Sequence, residues 1–184
     1  GGKDGVTRLW DLNECKELMI EAFIETMTAG PRTREPVTGV MVRLVDAKLH
    51  EDAIHRGPAQ VIPAVRQGIY GAMMSAGTYL MEPKQKVFIS VPQDMMGSVT
   101  SMMQQRRSTI DDMKAEGDMT VITSSSPISE MFGFAGDLRS ATQGKALWNT
   151  EFSGFHLLPM ELQAKITGQI RERKGLKPDP PPAS

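Results

Sequence analysis

Residues 86–126 read KVFISVPQDMMGSVTSMMQQRRSTIDDMKAEGDMTVITSSS. Val87, Ile89 and Val91 alternate with less apolar neighbours, a pattern typical of a strand, and Pro92 ends it. The apolar residues that follow recur at helical spacing: Met95, Met96, Val99, Met102 and Met103. This stretch therefore predicts a strand followed by a helix.

Two further runs, residues 109–114 and 119–124, flank Glu116-Gly117-Asp118 and predict a hairpin. The next helical set ends at Gly144 and comprises Met131, Phe134, Ala135, Leu138 and Ala141. A last alternating run predicts a strand and comprises Ala146, Trp148, Thr150 and Phe152. The order strand, helix, strand, strand, helix, strand is the ferredoxin-like split βαβ pattern, an α+β fold whose presence alone does not define a function.

The N-terminal part predicts a helix over about residues 12–29, with Asp11 and Glu14 at capping-box spacing and Gly30-Pro31 as its end. Its apolar stripe is Leu12, Cys15, Met19, Ala22, Phe23 and Thr26. Residues 37–48 alternate but are apolar on both faces, which predicts a strand inside a layered structure.

Residues 49–57 are polar and predict a connecting loop, after which Pro58 begins a helix that ends near Ala76-Gly77. Glu82-Pro83 is interpreted as a domain boundary. A final helix is predicted over residues 159–174, with a narrow stripe of Leu162, Ile166 and Ile170. The predicted organisation is therefore one domain at 1–82, a second at 83–156, and a segment at 157–184 whose helix packs back on the first domain before a proline-rich tail.

Composition limits the possible functions. The chain has 184 residues, 21 basic against 22 acidic, so any RNA contact must come from a local patch rather than from net charge. No apolar run reaches the roughly 20 residues of a membrane helix, and the Gly1–Gly5 start lacks the apolar core of a signal peptide. The single cysteine, Cys15, forms no internal disulfide, which favours a reducing compartment and a cytoplasmic location.

The sequence does not predict an enzyme or a metal site. His50 and His55 nearly match the zinc-protease motif H-E-x-x-H, but they are five residues apart and would lie about 140° apart around a helix. A G-x-x-x-x-G-K-[ST] phosphate loop does not occur, and neither does a convincing nucleophile–base pair.

Residues 49–57 support two interpretations. The positive end of the following helix, next to Lys48, His55 and Arg56, would suit an RNA phosphate, whereas the alternative is an ordinary solvated loop. The same two interpretations, RNA contact or solvated face, apply to the basic clusters Arg106-Arg107 and Arg171, Arg173, Lys174 and Lys177.

Residues 49–63, LHEDAIHRGPAQVIP, closely resemble the tip of domain IV in the archaeal elongation factor 2 family. The resemblance covers about residues 12–182. Other matching segments occur in the same order as in the family. They are Gly30-Pro31, EPVTGV at 35–40, LVDAK at 44–48, VPQDMMG at 91–97 with Arg106-Arg107, EMFGFAGDLRS at 130–140, ALW at 146–148 and RERKGL at 171–176.

The resemblance implies a partial domain IV, of the ribosomal protein S5 domain 2-like type and without its first strands, followed by domain V and a C-terminal helix. It implies that the tip enters the ribosomal A site and decoding region and follows the tRNA–mRNA complex, while domain V lies near the factor-binding region. The implied contacting residues are Lys48, His50, Asp52, Ile54, His55, Arg56, Gly57 and Pro58.

The resemblance further implies that His55 is converted to diphthamide, the residue that diphtheria-type toxins ADP-ribosylate, and that diphthamide-synthesis enzymes are partners. His50 matches the unmodified histidine of the tip. The GTPase domain, with GTP and magnesium, would lie outside this chain. Strand 37–48 would then lack its family partners and tend to self-associate through its edge. The alternative function is a stand-alone ribosome- or RNA-binding module without translocase activity.

Overall fold

A computed structural model describes the backbone of residues 5–182 and the side chains of residues 12–182. The chain divides into two units. The first comprises Gly1–Leu80 with Pro159–Ser184, and the second comprises Met81–Leu158. The sequence placed these boundaries at 82/83 and 156/157, two residues from where the structure has them.

In chain order, the helices and strands are α1 (Gly5–Thr28), α2 (Pro58–Ala76), β1 (Met81–Pro92), α3 (Met96–Gln105), β2 (Thr109–Glu116), β3 (Met119–Pro127), α4 (Phe134–Thr142), β4 (Leu147–Leu157) and α5 (Met160–Arg173). Short 3₁₀ turns precede α2, α3 and α4. None of the helices in the described part of the chain has the length and apolarity needed to cross a membrane.

The second unit has the predicted ferredoxin-like fold. Its four strands form an antiparallel sheet in the order β2-β3-β1-β4. Ile89 in the central strand β1 lies opposite Ile122 on β3 and Trp148 on β4. The hairpin between β2 and β3 turns at Gly117, whose φ of 64° favours glycine.

One face of this sheet carries the core of the second unit. The alternating residues Val87, Ile89 and Val91 of the predicted strand are fully buried. They cluster with Val99, Met103, Ile122, Phe134 and Leu138. In contrast, most of β4 is exposed, although the Trp148 ring still packs edge-on against Phe134 at 4.9 Å.

Arg106 and Arg107 make ion pairs within the second unit. Arg107 binds the carboxylate of Glu82 with both terminal nitrogens, at 2.9 and 3.2 Å, and also contacts Glu130. Hydrogen bonding to Glu82 raises the pKa of Arg107. Arg106 donates to the carbonyls of Glu130 and Phe132 and pairs with Asp137. The arginine pair is therefore engaged in structural contacts, and the interpretation of it as an RNA-binding cluster is not supported.

We expect Arg107→Ala to destabilise the second unit by about 3 kcal/mol, because it leaves the Glu82 carboxylate, whose side chain is 8% exposed, without its bidentate partner. The value is at the low end for a buried pair, since Arg107 itself is 30% exposed. Urea unfolding of the variant would measure the loss. Arg139→Ala, which removes an exposed arginine of α4, is the control. Equal stability of the two variants would contradict this role.

The first unit is built on α1 and α2, which pack against each other. From residue 12 onward, the buried side chains of this pair are Cys15, Ala22, Thr26, Val61, Ile69 and Met73. Helix α1 already includes residues 5–11, so the predicted capping box at Asp11 and Glu14 is wrong. The turn after α1 requires glycine at position 30, because a Cβ there would lie 2.5 Å from Val37 Cγ2.

The predicted strand at 37–48 is also wrong. The structure assigns no strand to these residues, and their apolar side chains are largely exposed, with Val45 at 87% and Met41 at 82%. The alternating pattern produces an extended segment, but a strand also needs a hydrogen-bonded neighbour. No such neighbour pairs with this segment in the described part of the chain.

The final helix, α5, belongs to the first unit. Its buried residues are Gln163, Thr167 and Arg171, one position after each residue of the predicted apolar stripe, which is half-buried instead. Gln163 pairs through its amide with both the N–H and the carbonyl of Leu80, at 2.8 and 3.0 Å. Arg171 donates to the carbonyls of Pro31 and Arg32, and burial, together with the nearby charge of Arg34, lowers its pKa. Helix α5 therefore docks largely through hydrogen bonds.

We expect the exposed apolar residues of 37–48 to make the chain associate with rising concentration, because an unpaired extended edge is a template for strand pairing. Val45→Lys should shift the association to a concentration at least about tenfold higher. Sedimentation velocity over a concentration series would measure this. As a control, Thr38→Lys adds the same charge at an exposed polar residue of the same segment. A chain that stays monomeric at every concentration would rule the prediction out.

Candidate nucleic-acid interface

The candidate interface is the loop of residues 48–58, called the tip loop below. It joins the extended segment to α2 and contains a single 3₁₀ turn, Ala53–Arg56, where the sequence predicted only an irregular loop. Asp52 caps this turn, because its Oδ1 accepts the N–H of Ile54 at 3.1 Å and its carbonyl accepts the N–H of His55 at 3.1 Å. The backbone that carries His55 is therefore fixed by hydrogen bonds.

The tip loop meets the N-terminal end of α2, as predicted. Pro58 occupies the first position of the helix, and Gly57 is its N-cap and has no side chain to close the helix end. The Gly57 carbonyl accepts the N–H of Val61 at 3.0 Å. The positive end of the helix dipole thus lies directly after the 3₁₀ turn.

The two histidines of the tip loop lie together. Their ring centroids are 4.4 Å apart with planes tilted by 60°. His50 Nδ1 accepts the N–H of Asp52 at 3.0 Å, which fixes the position of that ring. The helical geometry used to separate these histidines does not apply, since they belong to a loop and a 3₁₀ turn rather than to one α-helix.

Most predicted contact residues of the tip loop are exposed. This holds for Lys48, His50, Asp52, Ile54, His55 and Pro58, whereas Gly57 is half-buried. His55, the residue that the resemblance implies is modified, is exposed. The tip loop thus offers two imidazoles, a lysine and an apolar side chain, Ile54, which is 78% exposed.

Arg56 differs from its neighbours because its side chain is only 11% exposed. Its guanidinium donates to the carbonyls of His50 and Glu51, at 3.2 and 3.4 Å, and to the Glu14 carboxylate at 3.0 Å. The interpretation of Arg56 as an outward phosphate contact is therefore not supported by its geometry. The sequence pattern assigned Glu14 only to the capping box, because a contact across 42 residues leaves no local pattern.

An open groove borders the tip loop within the first unit. It has a volume of about 1070 Å³ and lies between α1, α2 and the extended segment. Its apolar lining includes Met19, Phe23, Val42, Leu44 and Val65, while His50, His55 and Arg56 lie at the end formed by the tip loop. The groove leaves the apolar faces of the two helices open beside the candidate interface.

Two family models match this chain. The model described as elongation factor G, domain IV, matches residues 4–77, and the model described as elongation factor G C-terminus matches residues 79–166. The two matches meet between residues 77 and 79, close to the boundary of the two units.

Curated relatives give the same result. The chain is 61% identical over 90% of its length to elongation factor 2 of Methanococcoides burtonii, and 57% identical over 92% to that of Archaeoglobus fulgidus. It is 54% identical over 97% to elongation factor 2 of Methanopyrus kandleri. The chain spans only 23%, 23% and 14% of the lengths of these three relatives, respectively.

The two family models and the archaeal relatives agree along nearly the whole chain. The chain belongs to the elongation factor G and elongation factor 2 family, and it carries the domain IV and C-terminal regions of that family.

Proposed function

We propose that this chain is the ribosome-binding C-terminal segment of a translation elongation factor 2 that promotes GTP-dependent translocation of tRNA and mRNA. In this proposal the tip loop enters the A site and contacts the decoding region and the tRNA–mRNA complex. The observation that carries it is the exposed His55, held on a hydrogen-bonded turn at the N-terminal end of α2, in a chain of the elongation factor 2 family.

The chemistry of the tip loop suits RNA. Lys48 and the end of the α2 dipole favour phosphate, and the imidazoles of His50 and His55 can stack on or hydrogen-bond to nucleotides. Ile54 adds an exposed apolar contact for a base or a sugar. Arg56 would stabilise this surface from the interior of the loop, since its guanidinium binds the loop backbone and Glu14.

We further propose that His55 is the residue converted to diphthamide and that diphthamide-synthesis enzymes are partners of the chain. The exposure of His55 provides the space and the solvent path that such an addition needs. The added cationic group would place a permanent charge next to the α2 dipole and strengthen attraction to RNA phosphates.

The remaining roles extend this proposal. The second unit would bind near the factor-binding region of the large subunit, in the cytoplasm. GTP and magnesium would be bound by an N-terminal GTPase domain, since the 184 residues of this chain contain no G-x-x-x-x-G-K-[ST] loop that fits them. The chain alone would bind ribosomes without driving translocation.

We expect the chain to bind archaeal ribosomes and to be displaced by full-length elongation factor 2 of Methanococcoides burtonii. Lys48→Glu should weaken binding by about tenfold at low salt, because it replaces a phosphate contact with repulsion. Lys165→Glu makes the same charge change at an exposed site on α5 and should bind like wild type. Cosedimentation with ribosomes measures the binding of the wild-type chain and of both variants. Binding that the full-length factor does not displace would contradict the proposed function.

We expect His55 to be the only modified residue of the tip loop. Chain produced in an archaeal host should show added mass on the peptide that spans Ala53 to Arg56, and diphtheria-type toxin should label it with ADP-ribose. Labelling should disappear in His55→Ala and persist in His50→Ala, which removes the neighbouring imidazole. Labelling that survives in His55→Ala, or that disappears only in His50→Ala, would show that the assignment is wrong.

A further inference from the structure

The side chain of Arg56 closes the tip loop from inside. Arg56 lies at the C-terminal end of the loop, and its terminal nitrogen NH1 donates to the carbonyls of His50 and Glu51 near the other end. Its second terminal nitrogen donates to Glu14 on α1. One guanidinium therefore joins both ends of the loop to each other and to a helix of the first unit.

The contacts of Arg56 are connected to the ring of His55 through His50 and Asp52. The bond to the His50 carbonyl holds the residue whose ring lies 4.4 Å from that of His55. His50 Nδ1 in turn accepts the N–H of Asp52, and Asp52 caps the 3₁₀ turn that carries His55. Every bond in this series depends on the backbone at residues 50 and 51 staying in place.

We propose that Arg56, supported by Glu14, is a positioning residue that fixes the tip loop so that the His55 ring is presented to the enzymes that modify it. The role of His55 in this statement rests on the proposed function. The positioning itself rests on the contacts and burial of Arg56. Arg56 touches no reacting atom and acts through the backbone of His50 and Glu51.

The geometry ranks the contributions of the contacts. The Glu14 carboxylate is 61% exposed, so the ion pair alone stabilises the loop weakly. The two carbonyls depend on a planar donor group that reaches both together with a carboxylate, which a lysine ammonium cannot reproduce. We therefore expect Arg56→Ala to disturb the loop most, Arg56→Lys less, and Glu14→Gln least.

Hydrogen exchange on the 184-residue chain tests the positioning directly. In Arg56→Ala the amides of Ile54 and His55 should exchange about tenfold faster, because both donate to Asp52 within the loop. Arg66→Ala is the matched control. It breaks an ion pair of the same 3.0 Å length between the first unit's two long helices, at Glu25 and outside the tip loop. Exchange at Ile54 and His55 should be unchanged in that variant.

Modification provides the second measurement. With purified diphthamide-synthesis enzymes, the KM for the chain should rise by about tenfold in Arg56→Ala, with partial recovery in Arg56→Lys and no change in Arg66→Ala. Wild-type exchange rates in Arg56→Ala would overturn the positioning role. Faster exchange with an unchanged KM would overturn its connection to modification. A wild-type chain that is never modified at His55 would refute the proposed modification of His55, while exchange would still decide the positioning and ribosome binding would be decided by cosedimentation.

Discussion

Guanidinium groups that donate to backbone carbonyls hold the irregular segments of both units. Arg56 does this for the tip loop, Arg106 for the segment before α4, and Arg171 for the turn after α1. The penalty of about 1–3 kcal/mol for a buried carbonyl without a donor applies at Pro31, whose bond to Arg171 is buried. At the other two segments, a five-donor side chain that reaches two carbonyls fixes the backbone where no ladder is available. The same contacts explain why so few of the chain's clustered arginines remain for RNA.

The ferredoxin-like unit was predictable because its core depends on local alternation. Val87, Ile89 and Val91 cluster with residues of α3 and α4, and each strand finds its partner within the same unit. The exposure of His55 agrees with the resemblance, since a histidine that receives a large cationic group needs space and a solvent path. Neither inference needed information from distant parts of the chain.

The errors have the opposite origin. Residues 37–48 have the composition of a buried strand, but a strand is a pairwise structure, and its sequence does not contain the partner. The predicted apolar stripe of α5 was wrong for a related reason. Gln163, Thr167 and Arg171 are polar, and distant partners explain their burial. The Leu80 carbonyl accepts from Gln163, the Pro31 carbonyl accepts from Arg171, and the donor Arg32 lies 3.5 Å from Thr167 Oγ1. Hydropathy recognises apolar surface, and it does not recognise a polar side chain whose partner lies about 80 to 140 residues away.

Arg56 and His55 show how this limitation affects a functional site. They are adjacent in a basic motif, and the sequence treats both as charges available to RNA. In the structure the 3₁₀ turn directs them differently, so that His55 is exposed while Arg56 is directed inward to Glu14 and two carbonyls. In the proposed positioning role, the contacts of Arg56 would fix the loop before it binds, and the entropy lost when a free loop becomes ordered would then oppose binding less. In the proposed function, where the tip loop contacts RNA, one of its cations would be used internally to hold the loop.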